Sequence, residues 1–328
     1  MRPLTENELE MITKATLIST AEKGLENARK NKHLVKKSIL DIQDKHEEKG
    51  ALLISAGPSL KRIDPAVIKD SGFKGSIVSV DASLPFCLKN GIIPDCVVSV
   101  DEDPVRIIRW YGDPEFENRK YDDYFTKKYG GSKTFEDEVR ANKEYIELVN
   151  KHAPKIKAII ATSVDNNVAK RCTEAGFDTY WWNPMYDDYE KENSFTRQAY
   201  QIVKVPALMT GGNVGASAWV FAHTILEKIV GMIGMDFGYV VDSSMKAREM
   251  GSQMKEIFGD KAQEAFIEVF NPYTKEMWHT DPTFYWYREC FLKMIKELNA
   301  KVYNCSKGGI VFGENVINIS LEEFLEKF

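Results

Sequence analysis

The stretch that most constrains this chain is Ala51-Leu-Leu-Ile-Ser-Ala-Gly-Pro-Ser-Leu60. Its apolar opening, Ala51 to Ile54, reads as a strand buried on both faces, the form strands take in a parallel sheet. Gly57 then offers the positive φ of a sharp turn. Pro58 suits the first position of a helix, where its missing N–H is no loss. Ser59 adds a hydroxyl, and Leu60 to Asp70 reads as the helix that follows. Strand, glycine turn and helix start bring unpaired amides and the positive end of a helix dipole to one spot, an arrangement that takes an anion. A silent strand-to-helix connection has the same spelling.

From Gly50 onward the chain alternates short apolar runs with helical stretches. Ser76–Val80 and Cys96–Val100 are the second and third strands, and a short helix, Ser83–Asn90, closes at Gly91 between them. Lys157–Ala161, Asp178–Trp182 and Ile229–Met235 continue the pattern, with Lys301–Asn304 as a last strand. This rhythm gives an α/β fold, a Rossmann-like doubly wound, mostly parallel sheet. Its ligand crevice is expected at the carboxyl ends of the strands. The first three strands end in Ser55, Asp81 and Asp101. Residues 104–153 interrupt the rhythm and read as an insertion, with a helix at Phe135–Lys151, placed to cover the crevice. Residues 183–206 read as irregular.

Outside the core, apolar spacing makes residues 1–48 a helical segment, Leu9, Ile12, Leu17 and Ile18 first, then Leu34, Ile39, Leu40 and Ile42. Its lysines (Lys30, Lys32, Lys36, Lys37) read as a solvated face. Residues 245–298 read as mostly helical, and Leu321–Phe328 as a closing helix. The expected organisation is an N-terminal helical segment (1–49), a nucleotide-binding core (50–240) and a helical C-terminal region (241–328). A net charge of −5 over 328 residues gives no field for nucleic acid. The five cysteines are scattered without a CxxC pair, against a thiolate zinc site or a disulfide framework and in favour of a reducing, cytoplasmic setting. No apolar run reaches the roughly 18 residues that span a bilayer, and the polar N-terminus reads as no signal peptide.

Five groups carry candidate chemistry. Thr210-Gly-Gly-Asn-Val-Gly215 precedes a helix, Ala216–Lys228. Gly211 and Gly212 permit close backbone approach, and Asn213 is a natural N-cap. Asp101 and Asp103 have the spacing to chelate a magnesium ion bridging phosphates, or Asp103 simply caps the turn at Pro104. Asp81 has the place of an acid that takes a ribose hydroxyl, or caps the segment from Ala82. Asp236 ends a strand facing the crevice. Asp236-Phe-Gly238 is no kinase motif, for the glycine-rich loop, lysine strand and His-Arg-Asp stretch are missing. His279, in a polar loop, is a better general base than His223, which reads as a packed core group.

Taken together, Ile54-Ser-Ala-Gly-Pro-Ser-Leu60, Val80-Asp-Ala-Ser-Leu84, Gly91-Ile-Ile-Pro-Asp-Cys-Val-Val-Ser-Val-Asp101, Thr210–Ala218 and Ile233-Gly-Met-Asp-Phe-Gly-Tyr239 resemble the MptE-like family. Asn304-Cys-Ser-Lys-Gly-Gly309 resembles the closing turn of its longer members, the motility accessory factors. That resemblance implies one of two activities. The accessory factors, similar to bacterial sialyltransferases with a Gly-Pro-Ser-Leu turn, transfer a nonulosonic acid from its CMP-activated form to flagellin Ser or Thr. The archaeal pterin branch transfers pyrophosphate from ATP, with magnesium, to 6-hydroxymethyl-dihydropterin. Its acidic motif corresponds here to Asp101-Glu-Asp103, while the extra N-terminal helices and the Asn304–Gly309 turn favour the accessory factors. No clear equivalent of the sialyltransferase histidine stands in this sequence. The expectation is therefore a transferase acting on a nucleotide-activated small molecule. Ser55, Gly57, Pro58, Ser59 and Asp81 would face Gly211, Gly212 and Asn213 across the donor, with Asp101, Asp236 and His279 as catalytic candidates. A CMP-sugar glycosyltransferase leads, an ATP-dependent pyrophosphokinase follows, and a non-catalytic nucleotide-binding protein is third.

Overall fold

The computed structural model describes residues 20–44, 46–118, 135–240 and 266–328. Its centre is a nine-stranded parallel sheet. Six strands run outward in chain order: β1 (Gly50–Ile54), β2 (Ser76–Val80), β3 (Cys96–Ser99), β4 (Lys157–Ala161), β5 (Asp178–Met185) and β6 (Ala207–Met209). The chain then returns to the other side of β1 as β7 (Ile229–Ile233). The strand order therefore reverses between β1 and β7, the switch point of a doubly wound sheet. A second sheet is antiparallel and three-stranded: β8 (Tyr239–Val240), β9 (Ile267–Asn271) and β10 (Glu276–Thr280). Beyond it, β11 (Val302–Asn304) and β12 (Val316–Asn318) extend the main sheet past β7.

Every residue of β1 is buried, which explains its unbroken apolar spelling. Ala51 and Leu53 face a core with Val78, Trp219 and Phe291. Leu52 and Ile54 face another, with Leu60, Ile68 and Phe324. Helices build these layers: α1 (residues 20–31), α2 (Pro65–Asp70), α3 (Leu84–Lys89), α4 (Phe135–His152) and α5 (Asn166–Ala175). The later ones are α6 (Phe195–Ile202), α7 (Val214–Val220), α8 (Pro282–Glu297) and α9 (Leu321–Lys327). Their ends follow local rules. Asp165 caps α5, and Gly176 ends it in the left-handed conformation at φ 89°. Asp281 caps α8 through the Thr283 and Phe284 amides.

Four expectations are corrected here. The second helical stretch before residue 48 is absent: residues 32–44 make two 3-10 turns, and Ser38 pairs beside Trp181. The helix expected from Leu60 to Asp70 splits into a 3-10 turn, Pro58–Arg62, and α2, because Asp64-Pro65 starts a new cap. Residues 183–206, read as irregular, complete β5 and contain α6, capped by Ser194. The C-terminal region carries α8 and α9 as expected, and four strands besides. In the insertion α4 matches its expected span, while residues 119–134 lie outside the described residues, as do the early apolar positions Leu9 to Ile18. Helix α1 is hydrogen-bonded onto the carboxyl end of β4: Asn27 Nδ2 donates to Ser163 O at 2.8 Å and Asn31 Nδ2 to Val164 O at 2.7 Å. No helix of the described residues is long and apolar enough to cross a membrane.

Candidate active site

Beyond their last residues β1 and β7 stay zipped together. The Ser55 N–H donates to Ile233 O at 2.9 Å, and the Gly57 N–H to Gly234 O at 2.7 Å. Asp236 then lays its carboxylate under the Gly-Pro-Ser turn. Its Oδ2 accepts the Ser59 N–H at 2.6 Å and its Oδ1 accepts the Ser59 hydroxyl at 2.5 Å. Both residues are buried. The amide and hydroxyl that the sequence offered to a phosphate are thus held by a carboxylate of the protein itself. The reading of Gly57 is also corrected. Its φ is −67°, so it needs no left-handed backbone. It is glycine because a Cβ there would stand 2.5 Å from Gly234 O and 2.6 Å from Asp236 Oδ2. Burial pushes the Asp236 carboxyl up to about 6, against the two bonds from Ser59. Its backbone oxygen accepts the Ile310 N–H at 2.8 Å, which ties in the third glycine turn, Gly308-Gly309. Asp236 therefore serves the turn as the acceptor of both Ser59 donors.

One strand over, Asp81 is also buried and pushed up by burial to about 6. Its Oδ1 accepts the Ala82 N–H at 2.7 Å and its Oδ2 the Ser99 hydroxyl at 2.8 Å. Ser99 in turn lies 2.8 Å from the Tyr111 hydroxyl. The strand-end capping read for Asp81 is realised at Ala82, and its carboxylate sits beneath the surface.

The residues after β3 are partly exposed and form a compact turn. Asp101 Oδ1 accepts the Asp103 N–H at 2.9 Å. Asp103 Oδ1 accepts the Val105 N–H at 2.8 Å and the Arg106 N–H at 2.7 Å. Asp101 Oδ2 pairs with the Arg106 guanidinium. The capping alternative for Asp103 is the one the geometry shows. As a magnesium pair the two acids fit poorly, because three of their four oxygens already serve this turn. Among the described residues no three His, Cys, Asp or Glu side chains converge on a point. Glu102 lies between them, its carboxyl raised by burial and by Asp101, with Lys23 and Arg106 opposing.

The facing wall is the Thr210–Asn213 turn. Gly211 and Gly212 have φ of 55° and 80°, the left-handed region glycine enters without strain. Asn213 caps α7 through the Ala216 N–H at 2.9 Å, as its sequence position implied. Side chains of α8 press on this turn: a Cβ at residue 212 would lie 2.6 Å from Tyr287 and 2.8 Å from Trp286. The charges of the acidic turn also act on Tyr287. Its hydroxyl is pushed up to about 12 by burial, with Asp101 and Asp281 adding and Arg106 opposing. Beneath this wall the Ser55 hydroxyl is buried and has no hydrogen-bond partner among the described residues. It stands 3.4 Å from where a Cβ of Gly215 would be.

Ser55, Asp81, Asp101 and the Gly211–Asn213 turn thus share one edge of the sheet. His279 stands apart. It is on β10, paired with Glu268 at 3.0 Å, and opposite in direction from the inward-facing Trp278 and Thr280. The polar loop assigned to it is a strand. His223 is the packed group the sequence indicated, stacked on Trp219 with ring centroids 5.1 Å apart. Sequence reasoning missed Arg106, Ser99 and Tyr287. For Arg106 a signal existed: an Asp-Pro cap at 103–104 makes a turn, and a turn folds residue 106 back onto residue 101.

Residues 22–108 match the model of a family described as 6-hydroxymethylpterin diphosphokinase MptE-like. No curated protein matches the chain. A solved structure titled MAf glycosyltransferase from Magnetospirillum magneticum AMB-1 superposes with a TM-score of 0.57 at 15% identity, covering 94% of this chain. The chain spans 39% of the length of that structure. The motifs of the core had pointed to this pair of relatives. Over residues 22–108 the chain is similar to the MptE-like family, and over nearly its whole length it has the fold of a Maf glycosyltransferase.

Proposed function

We propose that this chain is a nucleotide-dependent transferase whose donor lies at the carboxyl ends of β1 to β3, under the Thr210–Asn213 turn and α8. The observation that carries this reading is the Ser55 hydroxyl, buried at the end of β1 below the Gly211–Asn213 turn with no hydrogen-bond partner among the described residues. An orphaned buried hydroxyl in a native protein asks for a reason, and a ligand group is one. Supporting it are the sheet order, which puts ligands at strand carboxyl ends, and the two relatives, both named for group transfer. The donor we favour is a CMP-activated nonulosonic sugar and the acceptor a protein hydroxyl such as that of a flagellin, because the fold likeness to the Maf glycosyltransferase covers 94% of this chain. In this reading the 210–213 turn and Asn213 wall the nucleotide, and Asp81 and Ser99 set the floor. Fixed donors aimed at the leaving phosphate stabilise the charge that develops as the glycosidic bond breaks.

Calorimetry with CMP and with ATP, each with and without magnesium, tests the proposal. CMP binding without metal is the expected result. Binding of ATP with magnesium alone would reject the glycosyltransferase reading. That outcome belongs to a second reading, favoured by the family match over residues 22–108: pyrophosphate transfer from ATP to 6-hydroxymethyl-dihydropterin. It requires Asp101→Asn and Asp103→Asn to abolish metal-dependent AMP release, and unchanged activity in both would eliminate it.

A further inference from the structure

We propose that Glu102 is the general base of this site, the group that takes the proton of the acceptor hydroxyl. The inference deepens the transferase reading above and rests on it. Three observations carry it. First, the other acids of this edge serve the fold. Asp236 accepts both donors of Ser59, and Asp81 accepts the Ala82 amide and the Ser99 hydroxyl. Asp101 holds the Asp103 amide and the Arg106 guanidinium, and Asp103 holds the amides of Val105 and Arg106. Asp281 caps α8. Glu102 is different. Among the described residues its carboxylate takes no hydrogen bond and no ion pair from another residue. A carboxylate that braces nothing keeps its lone pairs for a substrate.

Second, the fold walls Glu102 into the crevice. It is half-buried just past the end of β3, and three elements close on it. The charge of Lys23, on α1, acts on it. Its own charge acts on Tyr186, just past β5, and on Tyr287 of α8. Helix α1 is seated tightly at this point: a Cβ at residue 24 would run into the Tyr186 hydroxyl and stand 3.2 Å from Ser163 Cβ. Tyr287 is a side chain that presses on Gly212. Glu102 thus stands on the β3 side of the wall assigned to the nucleotide, the side left for an acceptor.

Third, the surroundings suit a base. Burial raises this carboxyl, with Asp101 adding, so it holds a proton more firmly than an exposed glutamate does. Lys23 and Arg106 oppose the rise. The step balances. The acceptor oxygen bonds to the anomeric carbon while that carbon's bond to the CMP phosphate breaks, its electron pair leaving on CMP. The acceptor's proton passes to Glu102 and from there to water.

The test follows two reactions in the wild type, Glu102→Gln and Glu102→Ala. One is CMP release from CMP-N-acetylneuraminate, with water as the acceptor. The other is AMP release from ATP and magnesium with 6-hydroxymethyl-dihydropterin. In both, an attacking O–H must lose its proton. Glu102→Gln should lower kcat about a hundredfold to ten-thousandfold on the pair the wild type uses, and leave KM within about twofold. Formate, a small carboxylate, should return part of the rate to Glu102→Ala and none to Glu102→Gln. The thermal midpoint of Glu102→Gln should equal or exceed that of the wild type, because no partner is lost. A kcat for Glu102→Gln within about threefold of the wild type overturns the assignment and leaves the transferase reading intact. A loss confined to KM, or one that comes with a lowered midpoint, overturns it too, in favour of a binding or a structural role. A rate seen only with ATP that falls in Glu102→Gln keeps the base and rejects the glycosyltransferase reading. A wild type that turns over neither donor rejects both.

Discussion

Two strand ends of this sheet look alike in sequence and differ in structure. At the switch point, Gly57-Pro-Ser59 meets Asp236. Two strands away, Asp101-Glu-Asp103 meets Arg106. Each is a turn after a buried strand with an acid against it. At the first, the acid is buried and accepts both donors of Ser59. At the second, the acids fold a turn whose product is a half-exposed cation. A turn with the spelling of an anion site can be filled by the protein's own carboxylate, and an acidic motif can serve to hold a positive charge.

The largest effect that would break this comparison is at Asp236. Replacing it with Ala leaves the buried Ser59 amide and hydroxyl without partners, so Asp236→Ala should lose about 3 kcal/mol in urea unfolding at pH 7. A loss below about 1 kcal/mol would mean that the turn does not depend on the carboxylate. The pH dependence comes next. Burial raises the Asp236 and Asp81 carboxyls from 3.8 to about 6. With the folded-state value above the unfolded one, the folded chain holds each proton more tightly. The resulting stability is complete below about pH 4 and is lost as pH rises to about 6. Relative to Asp236→Asn, the wild type should therefore lose stability across that window, by up to about 3 kcal/mol for a shift of about two units. Carbon NMR titration of the two carboxyls, with midpoints near those of free aspartate, would contradict this.

Smaller effects sharpen the picture. Gly57→Ala forces a Cβ against Gly234 O and should cost about 1–3 kcal/mol by overpacking, with no effect on CMP affinity if the turn is not the phosphate site. Gly212→Ala carries a similar clash with Tyr287 and Trp286 plus a φ of 80°. Because its turn walls the site, it should lower both stability and CMP affinity. The smallest effect is expected for His279→Ala. Its pair with the exposed Glu268 is worth less than about 1 kcal/mol, and transferase activity should be unchanged. Loss of activity there would restore His279 as a base.

Much of the scaffold was legible because its signals are local. The run Ala51–Ile54 is apolar on both faces, Asn213 stands at a helix start, and each made the predicted element. What was missed has no strong local signature. Strand β6 is three residues between Pro206 and Thr210. The β9–β10 hairpin has an alternating, half-exposed pattern, with Phe270 and Met277 paired on its outer face, and its aromatic content reads as helix. For the site, the sequence named Asp81, Asp101, Asp103 and Asn213 and put them at strand ends or caps. The partner each side chain takes lay beyond it. The Ser59–Asp236 contact spans 177 residues, and no pattern within one turn encodes it.

The most direct measurement of the central claim is a crystal structure of the chain soaked with CMP. The account predicts the nucleotide at the carboxyl ends of β1 to β3 under the Thr210–Asn213 turn, with Asp236 still 2.6 Å from the Ser59 amide. A phosphate seated in the Gly57–Ser59 turn, with Asp236 displaced, would contradict it.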